Sequence, residues 1–203
     1  MVIDGAKGVE SQTRKLFEVC RLRDLPIFTF CNKMDRESRD TFEIIDELQE
    51  NLAIDVTPAS WPIGIGSDFL GCYDLINDRL ELMDRADKNR LGESIKIDGL
   101  NDPEMDKYIP SDLKEKLVDE VEMAKELLPP LNPNSLLEGH LTPIWFGSAM
   151  NSFGVKELMK GIANFGPVPQ IQSAVPRPIQ PSEKQVSGFV FKVQANICLL
   201  YTS

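Results

Sequence analysis

The run Leu25-Pro26-Ile27-Phe28-Thr29-Phe30-Cys31, ending in Asn32-Lys33-Met34-Asp35, constrains this chain more than any other stretch. A short apolar run rich in β-formers and without polar alternation suits a strand covered on both faces, as in a parallel sheet flanked by helices. A helix start follows at Asp40, with Glu43 three residues on and Phe42, Ile45, Leu48 and Leu52 as the predicted inner stripe. Strand, loop and helix thus come in order. Thr142 to Phe146 repeats the arrangement, leading into Gly147-Ser148-Ala149-Met150 and a helix-like stretch from Gly154 to Phe165. In an open parallel sheet, ligands sit beyond the carboxyl ends of the strands, so the two loops are predicted to meet at one edge.

The residues of the first loop suit one purine. Guanine presents N1-H and a 2-amino group side by side, and a fixed carboxylate such as Asp35 can accept from both. Adenine would leave that carboxylate unpaired. The amide of Asn32 can donate toward the base N7, and the alkyl stem of Lys33 can lie along a ring face. From the second loop, the backbone N-H near Ala149 can reach the base O6, with Ser148 beside it; the plainer reading makes Ser148 a helix cap. N-K-x-D alone arises by chance in roughly a few per cent of chains this long. Its place between a predicted strand and helix is what favours the base-reading role over a simple Asn/Asp turn.

On these residues the chain resembles the translational GTPase family, with Asn32, Lys33 and Asp35 matching its base-recognition motif and Ser148-Ala149 its second base loop. The strings VCRLRDLPIFTFCNKMDR, SWPIG, FGSAMNSFGV and GFVFKVQAN resemble the peptide chain release factor 3 branch. Elongation factor G shares NKMDR and PIG and is the alternative. The resemblance implies an α/β fold: the C-terminal part of a P-loop GTPase domain, with an inserted α+β subdomain and then the start of a β-barrel. It implies GTP or GDP as ligand, and as partners the ribosome and the class I release factors that the intact protein would remove after termination. A cytoplasmic monomer is expected.

No G-x-x-x-x-G-K-[ST] occurs in the sequence, and no D-x-x-G segment is expected to sense a γ-phosphate. The family places both upstream of a strand resembling Met1 to Asp4, so Met1 reads as an internal methionine, and Mg²⁺ would be held by residues outside this chain. No catalytic residue or metal ligand is assigned. The chain alone is expected to be inactive, and a non-enzymatic remnant or interaction module is the reading from another class.

The predicted domains are a GTP-binding part over 1–165, with an insertion at about 58–134, a proline-rich linker over 166–183 and a truncated barrel strand over 184–203. Val9 to Arg21 is predicted helical with Val9, Leu16 and Cys20 inward, and Ser111 to Leu128 helical with its acidic residues solvated. The tail after Asn196 departs from the family pattern. Thirty-two acidic against 22 basic residues, net −10, argue against a broad nucleic-acid patch in this segment. Four cysteines without a C-x-x-C pair indicate neither zinc nor a redox motif, and no apolar run is long enough to span a bilayer. His140 is assigned no chemistry.

Overall fold

The two apolar runs of the sequence become neighbouring strands. The computed structural model describes residues 1–83, 93–175, 177–188, 190 and 193. Within it, β1 (Val2–Asp4), β2 (Thr29–Asn32), β3 (Asp55–Pro58) and β8 (Leu141–Phe146) form a parallel sheet in the order β1-β2-β8-β3. Pairing aligns Asp4 with Asn32 and Cys31 with Phe146, so these strands end together. Every residue of β8 is buried, as a central parallel strand demands.

Helices α1 (Ser11–Arg21), α2 (Thr41–Leu52) and α5 (Val155–Phe165) accompany this sheet. Asp40 caps α2, its carboxylate accepting from the Phe42 N-H at 2.9 Å, and Ile44, Ile45, Leu48 and Leu52 are buried. In α1 Phe17 is buried and Leu16 is 58% exposed, which corrects the prediction at Leu16 alone, since Val9 and Cys20 do pack on the core. The helix follows the ring, which buries more apolar area than the leucine.

Between β3 and β8 the chain forms an antiparallel meander, β4 (Ser60–Ile63), β5 (Gly71–Asp74), β6 (Arg79–Leu82) and β7 (Ser94–Lys96), followed by α3 (Ser111–Leu127) and the short α4 (Pro133–Leu137). Trp61 is fully buried, and its indole N-H donates to Glu120 of α3 at 2.9 Å. Glu120 is therefore not merely a solvated acid of that helix. The meander and the parallel sheet share a core, since Trp61 lies 6.2 Å from Phe146 between ring centroids and Phe69 meets Phe153 edge-on at 5.5 Å.

Pro143 sits inside central β8 without an N-H to donate. The Ile27 carbonyl instead accepts the Thr142 hydroxyl at 2.8 Å, which also lies 2.8 Å from Thr29 Oγ1. A side chain thus meets a need the proline backbone cannot.

Residues 1–166 form one compact unit and the chain from Pro167 a second. In the second, Gln172 and Ile179 exchange backbone bonds and Arg177 grips Glu183 through two bonds of 2.6 and 2.8 Å. That guanidinium, helped by the Gln180 N-H, draws the Glu183 carboxyl down to about 2. The barrel strand expected over 184–203 falls largely outside the described residues.

Gly161 of α5 lies flat against the Trp145 ring: a Cβ there would stand 2.6 Å from Cη2 and closer still to Cζ2. Trp145 is 2% exposed and stacked against Phe28, so it has little room to retreat. Alanine gains about 1 kcal/mol of helix propensity over glycine, but overpacking a filled core costs about 1–3 kcal/mol. Gly161→Ala is expected to lower stability by about 1 kcal/mol in urea unfolding, and a stabilised variant would contradict this packing.

Candidate functional site

Asn32 ends β2, and the next residue makes the turn. Lys33 has φ +72, a left-handed conformation unusual for a side-chain-bearing residue. This reversal sends Met34 into the core, where it is fully buried, and leaves Lys33 and Asp35 on the outer side. Met34 anchors the loop from below: Cys31 Sγ lies 3.7 Å from its Sδ, and its backbone N-H donates to Gly147 O at 3.0 Å. The Met34 carbonyl in turn accepts from Gly66, so the turn before β5 braces the same loop.

The second loop is fastened to the first at several points. Gly147 N-H donates to Cys31 O at 3.0 Å, extending the β2–β8 pairing by one step. A side chain at Gly147 would strike the Phe153 carbonyl and come within 2.9 Å of Phe30 Cζ, so close backbone approach requires glycine here. Ser148, 1% exposed, exchanges backbone bonds with Phe153, and a single helical turn, Ala149–Asn151, closes the loop. Ser148 precedes that turn without capping it through its side chain.

Asn32 Oδ1 accepts from both the Lys33 N-H at 2.8 Å and the Ala149 N-H at 2.9 Å. Two convergent donors identify that atom as the amide oxygen and leave the NH₂ end for another partner. Asp35 Oδ2 accepts from Asn151 Nδ2 at 3.1 Å. Lys33 Nζ donates to Asp4 Oδ2 at 2.6 Å, while the other Asp4 oxygen accepts from the Ala6 and Lys7 N-H groups. All five sequence-predicted residues, Asn32, Lys33, Asp35, Ser148 and Ala149, therefore belong to two loops braced against each other at the carboxyl edge of the parallel sheet.

Sequence reasoning missed Asp4, Met34 and Asn151. Asp4 aligns with Asn32 across the sheet, a register that no local pattern reveals. The Lys33 hydrogen bond, aided by the turn N-H groups, holds the Asp4 carboxyl below its ordinary value. Burial, with the Asp4 charge adding, pushes the Cys31 thiol up to about 12, so it stays protonated beneath the loop.

One D-x-x-G string does exist by letter, Asp68-Phe69-Leu70-Gly71, contrary to the expectation of none. Phe69 is buried, and Gly71 pairs with both Ile63 of β4 and Leu82 of β6. It is a sheet corner, unlike an open loop whose glycine N-H could meet a phosphate. His140 is exposed in the turn before β8, at the amino end of that strand and away from the braced loops. Among the described residues, no cluster of three His, Cys, Asp or Glu side chains is placed to hold a metal, and no helix is long and apolar enough to cross a membrane. No Mg²⁺ ligand set can be assigned on them.

A carboxyl whose folded pKa is depressed lends stability above its unfolded value and loses it as pH falls through the folded one. The Asp4–Lys33 pair is thus expected to persist from neutral pH through the ordinary carboxylate range and to open only in stronger acid. A ¹³C carboxyl titration should place the Asp4 midpoint below 3.8 and move it upward in Lys33→Met. An unmoved midpoint would mean that Lys33 does not hold Asp4.

The site is thus a pair of mutually braced loops at the carboxyl end of a parallel sheet. Comparison with known families matches the elongation factor Tu GTP binding domain over residues 1–168. The chain therefore belongs to the translational GTPases that share this domain, a family that binds GTP and GDP with Mg²⁺, hydrolyses GTP and acts on the ribosome.

Proposed function

We propose that the braced loops read the guanine of GTP or GDP. Asp35 accepts from N1-H and the 2-amino group, using lone pairs that its single Asn151 contact leaves free. The NH₂ end of Asn32 donates to N7. The Ala149 N-H, which donates to Asn32 Oδ1, is shared with the base O6, and Ser148 keeps the second loop in place beneath it. Lys33, tethered through its ammonium to Asp4, presents its alkyl stem to one ring face. The observation that carries this reading is the bracing of Asp35, Asn32 and Ala149 by contacts within the protein, because groups already held in place spend little binding energy on ordering.

These residues bind and orient; none transfers a proton or attacks phosphate. The 203 residues contain no G-x-x-x-x-G-K-[ST] loop, so hydrolysis is a property of the intact protein and this chain supplies base recognition. Within the family we favour a termination factor that removes class I release factors from the ribosome, on the strength of the strings VCRLRDLPIFTFCNKMDR, SWPIG and FGSAMNSFGV. The translocase elongation factor G shares only the shorter NKMDR and PIG. The meander and α3 would form an insertion in the GTP-binding domain, and the proline-rich stretch would lead to a β-barrel.

Two measurements test the reading. Fluorescent GDP should bind this chain only weakly, because base contacts alone supply a fraction of nucleotide affinity; tight Mg²⁺-dependent binding would overturn the assignment of phosphate contacts elsewhere. Asp35→Asn should shift preference from guanosine toward xanthosine by about tenfold or more, since an amide can donate to the 2-oxo group. Unchanged preference in that variant would remove Asp35 from its role.

A further inference from the structure

Asp35 has one partner among the described residues, the side-chain amide of Asn151. Among the described residues no cation neutralises it: neighbouring Arg36 turns its guanidinium to the Met150 sulfur at 3.5 Å, and Lys33 is held by Asp4. The two hydrogens of Asn151 Nδ2 are both used, one on Asp35 Oδ2 at 3.1 Å and the other on Ser148 Oγ at 3.0 Å. Ser148 is itself fixed, buried and paired through its backbone with Phe153. The chain carrying Asn151 is equally constrained, because the next residue, Ser152, adopts φ +55 and the strand-like return at Phe153 closes the loop.

We propose that Asn151 is a positioning residue for guanine recognition, turning the Asp35 carboxylate to face N1-H and the 2-amino group without quenching its charge. The inference rests on the reading of Asp35 as the guanine acceptor. A carboxylate on a loop has a broad, soft terminal torsion, and a two-point contact is lost when that torsion wanders. Holding it with Lys or Arg would fix the angle but compensate the charge that the base donors must meet. A neutral amide fixes the angle and leaves the charge. Oδ2 retains a lone pair for one base donor and Oδ1 takes the other. Asn151 therefore acts on discrimination more than on folding.

The test compares guanosine with inosine, which lacks the 2-amino group, by NMR titration of the 203-residue chain at millimolar nucleoside. The unaltered chain should prefer guanosine by about tenfold, the worth of one hydrogen bond to a charged group. Asn151→Ala should cut that preference to about threefold or less while preserving the amide spectrum away from the loop. Asn151→Asp, equal in size but without the donor, should lose the preference as well. If the unaltered chain prefers guanosine and both variants keep the preference within about twofold, the positioning role is overturned and the Asp35 reading stands. If the unaltered chain does not distinguish the nucleosides, or binds neither, the reading of Asp35 fails and the proposal with it.

Discussion

One side-chain oxygen, Asn32 Oδ1, receives the N-H groups of Lys33 and Ala149 and so joins loops separated by more than a hundred residues of chain. The rest of the site depends on this join. It is possible only because β2 and β8 are parallel neighbours ending in register, Cys31 opposite Phe146, so that the two loops emerge side by side. Gly147 permits the close approach, and buried Met34 holds the first loop from the core side. The left-handed Lys33 is the local strain by which a strand end presents alternate residues outward; such outliers at a braced loop are where function concentrates.

The parallel sheet and the two loops at its edge were legible because each strand carried a continuous apolar run and each loop followed it directly. Asp40, Phe17 and Thr142 show how far that legibility extends. A cap followed by an amphipathic stripe is a local signal, and α2 begins where Asp40 places it. The face of α1 depended on which of two adjacent apolar residues turned inward, a competition settled by packing around Phe17. Thr142 looked like an ordinary strand residue, yet it compensates for the proline after it.

The contacts that escaped sequence reasoning are long-range and polar. Asp4 lies 29 positions from Lys33, Asn151 lies 116 from Asp35 and Glu120 lies 59 from Trp61. None belongs to a periodic pattern, since each is created by the register of the sheet or the packing of α3. Asn151 lies in a single helical turn, and its contact with Asp35 forms only because the two loops are brought together. The D-x-x-G letters at Asp68 make the converse point, since the same string in a paired sheet corner has no open N-H to offer. What the chain does must be read from braced groups, and here those groups lie at the carboxyl edge of the parallel sheet.

The most direct test is a ¹⁵N chemical-shift map of the chain titrated with guanosine, with adenosine as control. The account expects shifts confined to the amides of Asn32 to Asp35 and Gly147 to Asn151, Ala149 moving most as its N-H comes to be shared between Asn32 and the base, and little response to adenosine. Shifts centred elsewhere, such as the cleft of about 540 Å³ between Arg79, Lys96 and α5, or equal responses to both nucleosides, would contradict it.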